Sequence, residues 1–311
     1  MGWGGVNESP VPAVVATPHN VAHGIQAVPR DGTGEHALTS GWNFRGVDPG
    51  EELPDIDTSV PHSARIYDYI LGGKDNFAAD RQAAAKALGA NPHLATGMRE
   101  NRALMRRMTA YLAGEAGIRQ FLDIGTGLPT SPNMHEIAQS LRPDSRILYV
   151  DNDPIVLTHA RALLRSTPLG SLAYLDADLR YPDMILAEAA RTLDFKKPVA
   201  IMLLTVLQFV PEDEAFEVVE RLTAACPSGS FLVISHPASD IEADRHNEMV
   251  RRMNDSMPQK VTLRDHAGIT RMFDGLKLIE PGVVKASRWR PESDAEAATP
   301  TVLWAGVGSK P

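Results

Sequence analysis

Two glycines and a nearby aspartate carry the first chemical signal in this chain. In "FLDIGTGLPT" (residues 121–130), Asp123 precedes Gly125-Thr126-Gly127, and the pattern reads as a strand entering a tight turn. Glycines at 125 and 127 let backbone amides come close to a ligand. A dinucleotide fingerprint wants a further glycine at position 130, where this chain has Thr130. A carboxylate at 123 would repel a pyrophosphate and attract an ammonium. Pro129 removes one amide from what reads as the following helix start, where an anion would need it. Both features favour a ligand with a cationic head and no phosphate.

Two more carboxylates extend the pattern. In "YVDNDP", Asp151 ends a second strand and stands 26 residues after Gly125, where an acidic residue meets ribose hydroxyls in such folds. Asp153, just before Pro154, reads as the N-cap of the next helix. In "LDADLRYPD", Asp178 follows a third strand and can accept from an adenine amino group. Together these describe a site for S-adenosylmethionine, which carries an ammonium, a sulfonium, a ribose and an adenine. The expected contact set is Asp123, Gly125, Thr126, Gly127, Asp151, Asn152, Asp178, Leu179 and Thr205.

"PHSARIYDYILGGKDNFAADR" (residues 61–81) raises a different question, because Gly72-Gly73-Lys74 resembles the end of a triphosphate-binding loop. That loop needs glycine where this chain has Asp68, and Ser or Thr where it has Asp75. The triphosphate reading fails. The segment reads instead as a helix–Gly-Gly–helix lid over the cofactor. Lys74 would meet the methionine carboxylate, Asn76 would bond its polar atoms, and Tyr69 or Tyr67 would stack near the sulfonium. The plainer alternative is that the tyrosines pack the lid down and Lys74 is solvated.

These residues need a scaffold. "RQFLDIG", "SRILYVD", "SLAYLDAD", "PVAIMLLTVL" and "GSFLVISH" are near-continuous apolar strands alternating with helical patterns, which implies a parallel sheet covered on both faces. "LKLIEPGVV" and "TVLWAGVG" supply two final strands as an edge hairpin. A long amphipathic helix runs from Asn91 to about Gly117. The expected fold is α/β, a Rossmann-like doubly wound sheet with an N-terminal helical lid. Residues 1–58, rich in Gly, Pro, Ser and Thr with His19, His23 and His36, read as a poorly ordered leader. The lid is expected over 59–117 and the cofactor-binding core over 118–311.

The 311 residues carry a formal net charge of −8, which argues against a general nucleic-acid surface. Arg106-Arg107 and Arg251-Arg252 read as solvated helix faces. The single cysteine, Cys226, reads as a core residue, and no Cys/His spacing suggests a metal site. No apolar run reaches membrane-spanning length and no secretory signal is evident, so a cytoplasmic protein is expected.

The order of "DIGTG", "YVDNDP" and "DADL" resembles class I S-adenosylmethionine-dependent methyltransferases. More specifically, the 61–81 segment with "FLDIGTGLPTSPNMHEIAQ", "YVDNDPIVLTHARALL" and "WRP" resembles the actinobacterial S-adenosyl methyltransferase family, formerly a domain of unknown function. The resemblance covers roughly residues 59–308. It implies a seven-stranded, mostly parallel sheet whose last strand is antiparallel, and cofactor contacts at Asp123, Gly125, Gly127, Asp151 and Asp178. It implies no acceptor; a small molecule is expected. Methyl transfer has no universal catalytic residue, since proximity and alignment do much of the work. His236 in "ISHPASD" is the candidate general base, with Thr205, Gln208 and Asp240 nearby at strand ends; His246, on a following helix, could line the same cleft but reads as exposed. Trp289 is read as either a pocket wall or an edge anchor. A non-catalytic module binding the same cofactor would show the same residues. A nicotinamide or nucleotide-sugar enzyme is disfavoured by Asp123 and Pro129.

Overall fold

The computed structural model describes residues 57–311 except Pro258. The expected leader, with its three histidines, lies outside the described residues apart from its last two positions. Five parallel strands form the centre: β1 (Gln120–Ile124), β2 (Arg146–Asp151), β3 (Ser171–Asp176), β4 (Ala200–Leu204) and β5 (Phe231–Pro237). Two short pieces, β6 (Lys277–Leu278) and β7 (Val284–Lys285), and a long last strand, β8 (Leu303–Ser309), complete the sheet. The order is β3-β2-β1-β4-β5-β8-β6, with β7 also paired to β8 and every pairing of β8 antiparallel. The edge position expected to hold one strand is thus filled by two fragments on either side of a turn at Gly282, where φ is +87°.

Strand parity divides the core in two. Phe121, Ile147, Met202 and Val233 face α3 (Leu94–Ala110) and α4 (Met134–Leu141). Leu122, Leu148, Ile201 and Leu232 face the opposite layer of α6 (Pro182–Ala189), α7 (Glu212–Ala224) and α9 (His266–Arg271). α5 (Pro154–Leu163) connects β2 to β3, α8 (Ala243–Ser256) follows β5, and the short α10 (Asp294–Ala297) precedes β8. This is the doubly wound α/β arrangement, in which ligands gather at the carboxyl ends of the strands. No helix of the described residues is long and apolar enough to cross a membrane. Cys226 is a buried core residue, and burial pushes its thiol up to about 11.

α3 belongs to this core, because Leu104 and Met108 are fully buried against the sheet. The helix starts after His93 rather than at Asn91, whose Oδ1 accepts from the His93 N–H in the link between helices. Arg107, expected on a solvated face, is buried. It donates to the carbonyls of Ala286 and Trp289 and to the Glu100 carboxylate, and it also pairs with Glu296. Helical phase explains the difference: Arg106 points out and Arg107 points in. Trp289 is fully buried edge-on to Tyr111, so it anchors the chain end rather than walling a pocket.

α1 (Ser63–Ile70) and α2 (Ala78–Ala90) stand apart from the sheet core, with an apolar cluster of Ile66, Ile70 and Ala84 that also takes in Met257 from beyond α8. A buried carboxylate holds this pair together. Asp80 accepts from the backbone N–H of Phe77 at 2.8 Å and of His62 at 2.9 Å, closing the starts of both helices. Arg65 lies 3.6 Å from Asp80 and 3.8 Å from Asp153, the N-cap of α5, while His62 Nδ1 reaches Asp153 at 2.9 Å. Charge therefore ties the covering helices to the loop after β2. Replacing Asp80 with Ala would leave two part-buried N–H groups without their acceptor and remove one of the two carboxylates near Arg65. Urea unfolding of Asp80→Ala should show a loss of about 2–4 kcal/mol; a change under about 0.5 kcal/mol would mean that Asp80 does not hold the helix pair.

Candidate active site

The carboxyl ends of β1, β2 and β4 open into one cavity of about 590 Å³, roofed by α1, α3 and α8. That volume suits a cofactor together with a small second ligand. Of the sequence candidates, Asp123, Gly125, Thr126, Gly127, Asp151, Asn152, Asp178, Leu179 and Thr205 all line it.

The loop after β1 turns sharply at Gly125, where φ is +75° and a Cβ would come within 2.3 Å of the Val206 side chain. Only glycine fits there. Most amides of this loop are already used. Gly125 and Thr126 donate to the Val150 carbonyl, Gly127 donates to Asp151 Oδ2 at 2.8 Å, and Thr130 donates to Asn133 Oδ1. Helix α4 begins only at Met134, and Asn133 donates its N–H to Glu136 in a capping box. Pro129 therefore lies in the loop, short of the helix start assigned to it from sequence. Asp151 also accepts from the Asp153 N–H at 3.0 Å, and its burial raises its pKa.

Asp123 is a strongly perturbed carboxyl at the cavity. Burial pushes its pKa up to about 7, against the opposing influence of the Thr126 hydroxyl at 3.1 Å and of the Arg102 charge. Asp178 goes the other way: it is gripped by the Arg180 guanidinium through both carboxylate oxygens, which lowers its pKa. At the end of β4, Thr205 adopts φ +51°, a conformation rare for a β-branched residue and characteristic of functional sites. Asn101 of α3 holds it, donating to Thr205 Oγ1 at 3.2 Å while accepting from Ser235 Oγ at 2.7 Å. Gln208 adds a 2.6 Å bond to the Thr205 carbonyl.

Five candidates are not brought to the cavity. His236 is fully buried beneath the sheet edge. Its Nδ1 bonds the Pro237 carbonyl at 2.9 Å and its Nε2 lies 2.6 Å from Arg264 Nη1. Burial, reinforced by the Arg264 charge, lowers its pKa to about 3. With both ring nitrogens engaged it has no lone pair for an acceptor's proton, so the general-base assignment is corrected. Lys74 is exposed in the turn after α1 and does not line the cavity. Asn76 is buried inside that turn, donating to Asp68 and the Gly73 carbonyl and accepting from Arg81. Tyr69 packs beside Ile66 and Ile70 in the lid cluster. A Cβ on Gly73 would lie 1.9 Å from Asp68 Oδ1, so the Gly-Gly pair serves a tight local turn. Asp240 accepts from the Trp304 indole at 2.6 Å and from the His266 N–H, away from the cavity.

Three lining residues were missed or undervalued. Tyr67, not Tyr69, reaches the cavity and donates to the Met98 carbonyl at 2.9 Å. Arg102 of α3 lines it beside Asp123, donating through Nη2 to the Thr130 and Pro132 carbonyls. His246 of α8 lines it too and is buried rather than exposed, with Nδ1 bonded to the Ala238 carbonyl at 2.8 Å and its pKa lowered by burial. A signal existed for each helix. Gly97, Asn101 and Met105 share one face of α3 at spacing four, and His246 begins an apolar stripe through Met249, Val250 and Met253.

Comparison with known proteins gives the same direction. Residues 49–311 match the model of a family described as S-adenosyl methyltransferase. The solved structure of a DUF574 family protein from Streptomyces avermitilis MA-4680 is 45% identical, covering 82% of this chain and 99% of that one, with a TM-score of 0.79. A candidate methyltransferase from Thermobifida fusca YX is 40% identical over 82% of this chain and 96% of its own, with a TM-score of 0.76. No curated protein matches. With most of its length matched by the family model and two solved relatives at this identity, the chain belongs to the S-adenosyl methyltransferase family and is an S-adenosylmethionine-dependent methyltransferase.

Proposed function

We propose that the protein moves the methyl group of S-adenosylmethionine to a small-molecule acceptor held in the same cavity, beneath the α1–α2 pair acting as a lid. The observation that carries this reading is the electrostatics of the loop after β1. Most of its amides are turned inward onto Val150 and Asp151, and its buried Asp123 is destabilised as an anion by a burial that the nearby Arg102 charge only partly offsets. A pyrophosphate would find most of the loop amides taken and one repelling carboxylate. An ammonium would relieve Asp123.

The cofactor fits this set of residues. Asp151, at the end of β2, would accept from the ribose hydroxyls with lone pairs not used by Gly127 and Asp153. Asp178 would accept from the adenine amino group, sharing its carboxylate with Arg180, and Leu179 would pack on the ring. Asp123 would pair with the ammonium. Arg102 would take the methionine carboxylate in place of the solvated Lys74, since its recorded bonds use only Nη2. Thr205, strained and braced by Asn101, would shape the pocket around the reacting centre. When bound, the cofactor supplies a methyl group on a positively charged sulfur. The protein's part is to align the acceptor with that carbon and keep water away.

Two outcomes test the electrostatic argument. The folded-state pKa of Asp123, raised from 3.8 to about 7, means that the ligand-free fold loses stability as pH rises through that window. Asp123→Asn should remove that loss, raising the melting temperature at pH 8 by about 2–4 °C while leaving it unchanged near pH 4. An equal shift at both pH values would contradict the charge argument. Arg102→Ala should weaken S-adenosylhomocysteine by about tenfold, ~1.4 kcal/mol, and leave 5′-methylthioadenosine, which lacks the carboxylate, unaffected. Equal weakening of both ligands in calorimetric titration would remove Arg102 from the amino-acid end of the site.

A further inference from the structure

The part of the cavity lining that comes from α3 and α8 has a composition of its own. Five of the chain's eleven methionines line it: Met98 and Met105 from α3, Met249 and Met253 from α8, and Met257 just beyond. Methionine side chains are flexible and polarisable, and they adapt to flat apolar or aromatic ligands. The acidic residues of α8, namely Asp244, Glu248 and Asp255, do not line the cavity. Neither does Glu100 of α3, which is bound to Arg107. Asp68 does line it, but its carboxylate already accepts from the Asp75 N–H and the Asn76 amide. The remaining lining carboxylates, Asp123, Asp151 and Asp178, sit on the cofactor loops. An ammonium or guanidinium acceptor would therefore meet no carboxylate from α3 or α8 on this wall.

Lys260, whose ammonium is held by the Asn254 and Met257 carbonyls, and His246 are titratable groups on this side. The His246 Nδ1–H donates to the carbonyl of Ala238, the residue directly after β5, which fixes the neutral tautomer and leaves Nε2 as the ring's lone pair. β5 pairs with β4 up to Ser235, and the Ser235 carbonyl takes the Thr205 N–H. His246 therefore stands over the strand ends where the reacting centre must lie. We propose that His246 is the general base of a methyl transfer to the hydroxyl of a neutral, apolar acceptor of phenol or enol type seated against the methionine wall. This rests on the methyltransferase reading above. In the step, the hydroxyl proton passes to His246 Nε2 and the acceptor oxygen forms a bond to the methyl carbon. The carbon–sulfur bond breaks, its electron pair staying on sulfur, so that a methyl ether and S-adenosylhomocysteine result. The imidazolium then returns its proton to solvent.

The test uses the full chain saturated with S-adenosylhomocysteine and two probes of one shape, 2-naphthol and the cationic 2-naphthylmethylamine. Calorimetry should show 2-naphthol binding at least about tenfold tighter, ~1.4 kcal/mol. With labelled S-adenosylmethionine, the wild type should methylate 2-naphthol. His246→Asn, whose amide can keep the bond to Ala238, should bind 2-naphthol within about threefold of wild type but lose roughly 100-fold or more in transfer rate. No binding of 2-naphthol, or equal or tighter binding of the amine, would overturn the acceptor class. Absence of transfer by the wild type, or undiminished transfer by the variant, would overturn the role of His246. If the variant no longer takes up S-adenosylhomocysteine, the two-probe preference of the wild type decides the acceptor class, and His246→Gln, held to the same binding and rate criteria, decides the base. Failure of the wild type to bind S-adenosylhomocysteine would fall on the cofactor reading instead.

Discussion

The structure turns on two buried carboxylates at neighbouring strand ends. Asp151 takes the Gly127 and Asp153 amides, which folds the loop after β1 back onto β2 and consumes donors that a phosphate would otherwise use. That leaves Asp123 facing a cavity with the Thr126 hydroxyl and the nearby Arg102 as its relief. A group so placed is largely neutral below pH 7, and an arriving cation ionises it. The same turn geometry that serves dinucleotides elsewhere is thus set here for a nucleoside with a positively charged side chain. The sheet provides the position and the carboxylates provide the choice.

The roof is coupled to that choice through Asp153. It caps α5 by accepting from the Ile155 N–H, and it also receives His62 and lies beside Arg65 from the covering helices. The loop that would grip the ribose and the helices that close over it therefore share one buried charge cluster. α3 contributes differently. It is fixed on the sheet through Leu104, Met108 and the Arg107 staple, and from that rigid base it projects Asn101 and Arg102 into the cavity. Sites carried on packed helices hold their geometry better than sites on loops.

Much of this was legible in the sequence, for reasons that can be stated. Parallel strands buried on both faces leave continuous apolar runs, and short loops after them expose Asp123, Asp151 and Asp178 at one edge. Asp153 before Pro154 is a local N-cap signal, and the structure uses it so. What was misread depended on distant partners. Nothing near "ISHP" announces Arg264, 28 residues later, which neutralises His236 as a base. Lys74 looked functional because of its neighbours, yet Gly72 and Gly73 serve a turn closed by Asp68. In the 61–81 segment the residues that matter to the fold are His62, Arg65 and Asp80, whose roles appear only once α1, α2 and α5 meet. His246 had a readable signal, a histidine opening an apolar helical stripe, but its exposure could not be judged without α3 opposite.

The central claim is that Asp123 is held protonated until a ligand cation ionises it. It is tested most directly by counting protons. S-adenosylhomocysteine should be titrated calorimetrically at pH 6 in buffers of different ionisation enthalpy, for the wild type and for Asp123→Asn. The account predicts close to one more proton released per ligand by the wild type than by the variant, because only the wild type has a carboxyl near pKa 7 to ionise. Equal release by the two proteins, with binding intact, would show that Asp123 is already charged or stays neutral in the complex, and the electrostatic account of the site would be wrong.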